Sequence, residues 1–232
     1  MKDICRVKIC GITSLEDACL AAELGADYIG VIIEAAISPR TLFMNDAVPI
    51  FTSAPLPVVA LVHQMKPERI HELLLILKPH AIQFLSQEGP EMAGWLKKLQ
   101  PGLQVWQSLY LPAGGESAAG FDFAVVAEKT SLCREAGVDA VVFDTAALSS
   151  GKFGGTGLTA DWLLVKELVR EAKLPAFLAG GINPGNVRRA VETVRPYGID
   201  LSSGVEESPG KKSAAKLKTL MGELRQYEAT KT

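Results

Sequence analysis

Residues 176–204 read AFLAGGINPGNVRRAVETVRPYGIDLSSG, a stretch that holds one strand, one helix and a second strand. An apolar run at Ala176–Ala179 precedes a helical pattern over Pro184–Arg195, and a second apolar run follows at Gly198–Leu201. Apolar residues at consecutive positions are typical of strands that are covered on both faces, as in a parallel sheet. The stretch therefore predicts two parallel strands that are joined by a helix.

The same alternation of short apolar runs and longer amphipathic segments extends over the rest of the chain. Strands are predicted at Arg6–Cys10, Tyr28–Ile33, Val58–Val62, Ala81–Phe84, Gln104–Tyr110, Ala140–Phe143, Ala176–Ala179 and Gly198–Leu201. Helices are predicted at Leu15–Leu24, Asn45–Thr52, Pro67–Leu77, Glu91–Gln100, Glu128–Ala136, Ala160–Glu171, Pro184–Arg195 and Lys211–Tyr227. Eight such units in 232 residues average about 29 residues each, which fits the repeat of a (β/α)8 barrel.

We therefore predict that residues 1–232 form a single α/β domain, an eight-stranded TIM barrel. An open doubly wound sheet is the alternative, but it usually has fewer strands, and the chain contains no dinucleotide-binding fingerprint. Three Gly-X-Asp sequences, at residues 25–27, 137–139 and 198–200, each lie between a helix and a strand. Their glycines are expected to end the preceding helix in the left-handed conformation. The Gly- and Ala-rich segment Leu111–Gly120 is predicted to be a loop.

Composition and charge narrow the possible partners and location. The net charge of −2 gives no electrostatic reason to expect nucleic acid or a membrane as a partner. The strongest apolar run, Val58–Val62, is too short to span a bilayer, and the first five residues contain an acid and do not resemble a signal peptide. The four cysteines match no zinc pattern and the three histidines show no metal spacing. We expect a cytoplasmic protein without a metal or redox cofactor.

Small residues follow the last two strands, where a phosphate group is often bound in this fold. Gly180-Gly181 comes after the seventh strand and Ser202-Ser203-Gly204 after the eighth. Backbone N–H groups of small residues can approach an anion closely, and the following helix adds its positive end. The two loops predict a phosphate site. Gly210-Lys211-Lys212-Ser213 lacks the earlier glycine of a nucleotide-binding loop, so it is predicted to be a helix start with surface lysines.

Candidate acid and base groups lie at the ends of two opposite strands. Cys10 ends the first strand and Asp144 follows the sixth, so their side chains could bracket a small substrate. A thiolate can serve as a base, and a desolvated carboxyl can be kept protonated as an acid. Arg40, on a loop over the mouth, suits a substrate carboxylate in bidentate fashion. The alternative interpretation is a buried thiol, a loop cap and a surface arginine.

These residues also carry a resemblance to a known family. The chain resembles the phosphoribosylanthranilate isomerases of tryptophan biosynthesis from residue 8 to residue 213, in the expected order. The matching pieces are Lys8-Ile9-Cys10-Gly11-Ile12-Thr13, Gly25-Ala26-Asp27, Ser38-Pro39-Arg40, Phe143-Asp144-Thr145, Gly154-Gly155-Thr156-Gly157, the segment 178–184, Asp200-Leu201-Ser202-Ser203-Gly204-Val205-Glu206 and Pro209-Gly210-Lys211-Lys212. The first and the last two of these are the most specific to this family.

The resemblance implies a barrel of the ribulose-phosphate-binding type and an Amadori rearrangement. It implies that N-(5-phosphoribosyl)anthranilate becomes 1-(2-carboxyphenylamino)-1-deoxyribulose 5-phosphate, with no cofactor and no metal. Asp144 would be the general acid, Cys10 the general base, and Arg40 would hold the anthranilate carboxylate. The other implied substrate-binding residues are Gln83, Gly155, Gly180, Gly181, Ser202, Ser203 and Gly204. The expected partner is a small phosphorylated substrate, and family members occur as monomers and homodimers.

Two departures from the family pattern lie near the predicted mouth. The family usually has Gln-Leu-His-Gly after the fourth strand, where this chain has Gln83-Phe84-Leu85-Ser86. Leu85 can neither donate nor accept a proton, and Glu34, which follows the second strand, would repel a carboxylate unless it points away. Two alternatives therefore stay open. The first is a paralogous barrel that acts on a different phosphorylated aminosugar, and the second is a phosphate-binding protein without catalytic activity.

Overall fold

Eight parallel strands form a closed barrel in the computed structural model, which describes residues 4–113, 122–147, 152–153 and 159–230. The barrel strands are β1 Arg6–Ile9, β2 Tyr28–Ile33, β3 Val58–Val62, β4 Ala81–Phe84, β5 Gln104–Pro112, β6 Ala140–Ala147, β7 Ala176–Leu178 and β8 Gly198–Leu201. Each strand pairs in parallel with the next one along the chain, and β8 pairs with β1 to close the ring. The predicted barrel is confirmed.

Eight helices alternate with these strands within the described residues. They are α1 Leu15–Glu23, α2 Met44–Ser53, α3 Pro67–Leu77, α4 Gly89–Leu99, α5 Phe123–Glu135, α6 Trp162–Ala172, α7 Val187–Val194 and α8 Ala214–Ala229. Four begin at a side chain that accepts from the first turn: Ser14 caps α1, Asp122 caps α5, Asp161 caps α6 and Ser213 caps α8. Of the described helices, none has both the length and the apolar character that a membrane crossing requires.

Several predicted boundaries are wrong, each for a local reason. Residues 111–112 are not loop, because β5 continues its pairing with β6 to Pro112, opposite Ala146. Ala113 follows the strand as loop, and residues 114–120 of the predicted loop lie outside the described residues. Helix α5 begins five residues earlier than predicted, where the side chain of Asp122 accepts from Ala124 N at 2.8 Å. Lys211–Lys212 is not a helix start but a short strand that pairs with Glu206–Ser208.

The repeated glycine before a strand has the predicted role at two of its three positions. Gly25 has φ +92° and Gly137 has φ +83°, so both end a helix in the left-handed conformation. The prediction for Gly198 is wrong, because Arg195 with φ +52° ends α7 instead. Gly198 lies inside β8, where a Cβ would stand 2.5 Å from the ring of Phe177. This glycine is therefore required by packing inside the barrel.

Aromatic side chains close the amino-terminal end of the barrel. The rings of Trp106 and Phe177 stack with centroids 4.8 Å apart, and Tyr28 meets the Trp106 ring edge-on at 5.3 Å. A separate apolar layer lies between the strands and the surrounding helices and forms the larger core. The filled amino-terminal end leaves the carboxyl-terminal end as the place for a cavity.

The aromatic plug predicts a stability effect that is independent of the site. Phe177 is fully buried, so Phe177→Ala removes a ring from a packed interior and is expected to cost about 3–5 kcal/mol of the free energy of unfolding. Urea denaturation measures this loss. The control is Leu163→Ala on α6, where the side chain is 66% exposed and the expected change is within about 0.5 kcal/mol. A loss at Phe177 no larger than the control's would contradict the plug.

Candidate active site

A cavity of about 720 Å³ opens at the carboxyl ends of the barrel strands. It brings together nine of the ten residues that the sequence analysis selected: Cys10, Arg40, Gln83, Asp144, Gly180, Gly181, Ser202, Ser203 and Gly204. The tenth, Gly155, lies outside the described residues with the rest of its Gly-Gly-Thr-Gly segment. Residues that are up to 194 positions apart in the chain thus share one cavity, because parallel strands present all their carboxyl ends to the same side.

Cys10 stands immediately after β1 and is held through its backbone. Its N–H donates to Leu201 O at 2.7 Å, and its carbonyl accepts from Lys212 Nζ at 2.6 Å. Its sulfur and the Nζ of Lys8 both lie 3.0 Å from the point where a Cβ on Gly30 would stand. Burial raises the pKa of the Cys10 thiol, while the ammonium groups of Lys8 and Lys212 act in the opposite direction. Gly30 leaves the space in which the thiol and the Lys8 ammonium meet.

A buried ion pair lies beside this thiol, inside the barrel. Lys8 Nζ contacts the two carboxylate oxygens of Asp200 at 3.0 and 2.9 Å, and Lys8 is fully buried. Burial disfavours the ammonium, yet Asp200 and Cys10 more than offset this, so the pKa of Lys8 is raised. Lys8 therefore remains charged next to Cys10.

Asp144 faces the cavity from within β6, not from the loop after it. Burial raises the pKa of its carboxyl to about 7, the hydrogen bond from Thr145 N at 2.7 Å opposes this, and the charge of Asp200 adds to the rise. Tyr110 pairs with Asp144 across the β5–β6 ladder and also lines the cavity. Burial, followed by the nearby Asp144 carboxyl, raises the pKa of the Tyr110 phenol. At neutral pH the Asp144 carboxyl is thus available in its protonated form.

The loops after β7 and β8 touch each other, and neither Gly180 nor Gly204 has room for a side chain. Gly180 has φ +83° and Gly181 has φ +63°, and a Cβ on Gly180 would stand 2.8 Å from Thr145 N. A Cβ on Gly204 would collide with the carbonyl oxygen of Ile182. The hydroxyl oxygen of Ser202 is buried and has no partner among the described residues. Such a concave backbone surface can receive an anion.

Arg40 is engaged differently from the sequence prediction. Its Nε donates to Glu206 Oε1 at 2.8 Å and its Nη2 to Glu206 Oε2 at 2.6 Å. The edge that would take a substrate carboxylate in bidentate fashion through these two nitrogens is therefore occupied by Glu206. Among the described residues Nη1 has no partner. The prediction that Lys212 lies on the surface is wrong. Its side chain is fully buried and contacts the same Glu206 carboxylate.

The two departures from the family pattern have different outcomes. Glu34 does not line the cavity; its carboxylate accepts from Arg69 Nε at 2.9 Å and from Met44 N at 3.3 Å. These hydrogen bonds lower its pKa, and the expected repulsion of a substrate carboxylate does not arise. Leu85, in contrast, lines the cavity with Ile32 and Leu61. An apolar side chain therefore stands where the family pattern carries a histidine, while His63, which follows β3, lines the same cavity.

Sequence reasoning missed four residues that organise the site: Lys8, Tyr110, Glu206 and Lys212. A charged residue in the middle of an otherwise apolar strand was the available signal for Lys8, since such a residue must be paired when it is buried. The contacts of Glu206 and Lys212 depend on the short hairpin, which no periodicity indicated. Within the described residues, no group of three or more His, Cys, Asp and Glu side chains could hold a metal ion.

Comparisons with known proteins agree over almost the whole chain. The family model described as N-(5′-phosphoribosyl)anthranilate (PRA) isomerase matches residues 7–223. A curated relative of that name from Methanocella arvoryzae is 34% identical over 223 residues, which cover 95% of this chain and 98% of the relative. Another, from Methanopyrus kandleri, is 39% identical over 209 residues, which cover 88% of this chain and 91% of the relative.

Solved structures give the same picture. A crystal structure of phosphoribosyl anthranilate isomerase from Thermotoga maritima superposes with a TM-score of 0.77 at 30% identity and covers 96% of this chain and 99% of its own. A second crystal structure is of a phosphoribosyl anthranilate isomerase in complex with reduced 1-(o-carboxyphenylamino)-1-deoxyribulose 5-phosphate, and it superposes with a TM-score of 0.74 at 28% identity. It covers the same shares of the two chains.

The raised pKa of Asp144 predicts a pH-dependent loss of stability. Folding raises this pKa from near 4 to about 7, so the folded state binds the proton more tightly than the unfolded state does. The carboxyl therefore destabilises the fold increasingly as the pH rises from about 4 to about 7. Asp144→Asn is neutral throughout, so it should gain stability over the unmodified chain, on the order of 2 kcal/mol between about pH 5 and pH 8. Urea denaturation across this range measures the difference. The control is Asp161→Asn at the exposed start of α6, where Asn caps a helix as well as Asp does. Parallel pH curves for Asp144→Asn and the unmodified chain would contradict the shift.

Proposed function

The chain belongs to the family of N-(5′-phosphoribosyl)anthranilate isomerases, and on this premise we propose that it catalyses the Amadori rearrangement of N-(5-phosphoribosyl)anthranilate in tryptophan biosynthesis. The product is 1-(2-carboxyphenylamino)-1-deoxyribulose 5-phosphate, so the reaction is an aldose–ketose isomerisation without net oxidation. The observation that carries the proposal is that Cys10 and Asp144 face one cavity whose rim is formed by glycine and serine loops.

Asp144 is the proposed general acid. Its carboxyl donates a proton to the ring oxygen of the furanose, the bond between that oxygen and C1 breaks, and the nitrogen lone pair forms a C=N⁺ double bond at C1. A pKa near 7 suits this step, because a group titrating close to neutral pH is partly protonated and still acidic enough to donate. The burial that raises the pKa of Asp144 therefore supports its function as an acid.

Cys10 is the proposed general base. Its thiolate removes the proton from C2, and the electron pair moves into a C1=C2 double bond while the iminium nitrogen regains its lone pair. The C2 hydroxyl then gives its proton to the Asp144 carboxylate while the Cys10 thiol returns its proton to C1, which yields the ketone and restores both groups. Burial raises the pKa of the thiol, and the ammonium groups of Lys8 and Lys212 oppose this rise in part, so they are the groups that favour the thiolate.

Binding of the two ends of the substrate supports the same orientation. The phosphate is proposed to bind the loops at Gly180-Gly181 and Ser202-Ser203-Gly204, and Gly155 is the further substrate-binding residue that the resemblance implies. The carboxylate is proposed to meet Nη1 of Arg40, which has no partner among the described residues. Gln83 is proposed to contact the substrate through its amide oxygen, which is buried and unpaired within the described residues. The reacting carbons C1 and C2 then lie between Cys10 and Asp144.

A second candidate function follows from the apolar side of the cavity. Leu85 replaces the histidine of the family pattern, so an aminoaldose phosphate with a different, less polar group on nitrogen is the alternative substrate. Steady-state turnover of freshly generated phosphoribosylanthranilate, followed by the loss of its fluorescence, decides between the two. Rapid turnover supports the isomerase, whereas a folded protein that binds phosphate without turnover supports the alternative.

The proposed setting is the cytoplasm, with a small phosphorylated substrate as the partner. No metal or redox cofactor enters the proposed reaction, because both proton transfers are made by side chains. A monomer and a homodimer are the two proposed assembly states, and sedimentation equilibrium of the full chain distinguishes them.

Loss of either proton-transfer group should lower kcat far more than it changes KM. Asp144→Asn and Cys10→Ser are each expected to reduce kcat by about 10²–10⁴, the usual contribution of a positioned acid or base. A serine hydroxyl is a much weaker base than a thiol, so it cannot replace Cys10. The matched controls are Asp161→Asn and Cys19→Ser, which lie on the outer helices and should keep their activity. A Cys10→Ser variant with an unchanged rate would place the base elsewhere.

The contact between the two loops should be required for phosphate binding. Gly204→Ala places a methyl group against the carbonyl oxygen of Ile182, which pushes the loops apart. Because the displaced loops no longer present their N–H groups together, we expect the inhibition constant of inorganic phosphate and the KM of the substrate to rise at least about tenfold. A tenfold rise corresponds to a loss of about 1.4 kcal/mol of binding free energy. The control is Gly94→Ala on α4, where a Cβ meets nothing within 4 Å. Unchanged phosphate inhibition would refute this anion site.

A further inference from the structure

Three charged side chains form a buried row behind the proposed carboxylate site. Glu206 accepts from Arg40 through both carboxylate oxygens, and its Oε1 also accepts from Lys212 Nζ at 2.6 Å. The exposed fractions of the three side chains are 11% for Arg40, 4% for Glu206 and zero for Lys212. Lys212 therefore lies behind Glu206 and cannot reach a ligand in the cavity.

We propose that Glu206 and Lys212 are positioning residues for Arg40, and that Lys212 determines specificity for a carboxylated substrate by cancelling the charge of Glu206. The inference rests on the proposed function, since it concerns how the same site selects its substrate.

Counting the charges explains why Lys212 is needed. Arg40 and Glu206 alone sum to zero, so a substrate carboxylate would meet no net attraction from the pair. Burial lowers the pKa of the Lys212 ammonium, and its hydrogen bond with Glu206 opposes this. With Lys212 charged, the row carries one net positive charge, which is only weakly screened because it is buried. Burial opposes ionisation of Glu206, but its hydrogen bonds with Arg40 and Lys212 lower its pKa, so it stays charged.

Glu206 fixes the direction in which Arg40 presents its free donors. The carboxylate holds the Nε and Nη2 edge, so Nη1 is the free nitrogen among the described residues. The stem of Arg40 lies over Gly11, where any side chain would collide with it. A guanidinium that is already oriented loses less conformational entropy when a carboxylate binds.

Lys212 is itself held rigidly by its surroundings. Its backbone N–H donates to Asp17 Oδ2 at 2.9 Å, and its ammonium donates to the carbonyl of Cys10 at 2.6 Å. The hairpin that carries Lys212 is tied to the first loop by Thr13, whose hydroxyl donates to Gly210 O at 2.5 Å. The row thus joins the carboxylate site to the backbone of the proposed base.

The test compares two substrates that differ only in the carboxylate, N-(5-phosphoribosyl)anthranilate and N-(5-phosphoribosyl)aniline. The ratio of their kcat/KM values is the carboxylate preference. Lys212→Met should lower this preference at least tenfold, while any effect on Cys10 through its carbonyl changes both substrates alike. The matched control is Lys216→Met, whose ammonium donates to the backbone oxygen of Glu206 and not to its carboxylate, and which should keep the preference.

Two further variants separate a charge effect from simple damage to the fold. Glu206→Gln combined with Lys212→Met restores one net positive charge, so the preference should recover severalfold above that of Lys212→Met alone. In an Arg40→Met background, Lys212→Met takes the row from zero to one net negative charge, so the preference should fall further. The Glu206→Gln, Lys212→Met variant leaves Arg40 as the one charge of the row, at the cavity wall, and leaves no carboxylate without a cation. It therefore also serves if Lys212→Met does not fold, and its preference should then be close to that of the unmodified chain.

The outcomes that would overturn the inference are distinct from failure of the proposed function. Equal losses for both substrates in Lys212→Met, or a double variant with a lower preference than the single one, would reduce Lys212 to a structural role. If the Glu206→Gln, Lys212→Met variant folds and Lys212→Met does not, a tenfold lower preference in that variant than in the unmodified chain likewise reduces Lys212 to a structural role. An unmodified, folded chain that turns over neither substrate would instead overturn the isomerase proposal itself.

Discussion

Closure of the barrel between β1 and β8 is the constraint on which the site depends. At this seam Lys8 lies opposite Asp200 in the ladder, and their side chains form the buried ion pair inside the barrel. Taking two charges out of water is unfavourable unless each finds its partner, so the pair is consistent with only one register of the closing strands. The same register sets Cys10 beside Leu201 and brings Ser202 to the rim. A structural interaction and the geometry of the proposed reaction are therefore one arrangement.

Burial has opposite consequences for the two proposed catalytic groups. It favours the protonated form of both Asp144 and Cys10, which suits an acid and hinders a base. The positive charges of Lys8 and Lys212 lie on the Cys10 side and partly reverse the effect of burial there. The charge of Asp200 raises, and that of Lys8 lowers, the pKa of both groups, while Lys212 acts on Cys10. The raised pKa suits the proposed acid, and the two ammonium groups limit the rise at the proposed base.

The apolar side of the cavity bears on specificity more than on chemistry. Leu85 replaces a group that could exchange a proton, yet both proposed proton-transfer residues remain, and the proposed reaction uses these two alone. Glu34, which the sequence alone placed near the mouth, instead pairs with Arg69 outside the cavity. Its left-handed backbone, with φ +49°, turns the chain at this point. In the proposed reaction, discrimination between substrates rests on the carboxylate site at Arg40 and on the apolar side chain of Leu85.

The sequence by itself determined the fold and most of the candidate site. Apolar runs at a regular spacing predict a parallel barrel, and the barrel places residues that follow a strand at one common mouth, which is why nine widely separated candidate residues line one cavity. Only the tertiary structure decided which charges meet. Glu206 and Lys212 lie on a short hairpin that carries no periodic signal, and Lys8 and Asp200 come together through a strand pairing 192 residues apart. Local patterns encode burial and secondary structure, whereas pairing of buried charges depends on distances that exist only after the ring has closed.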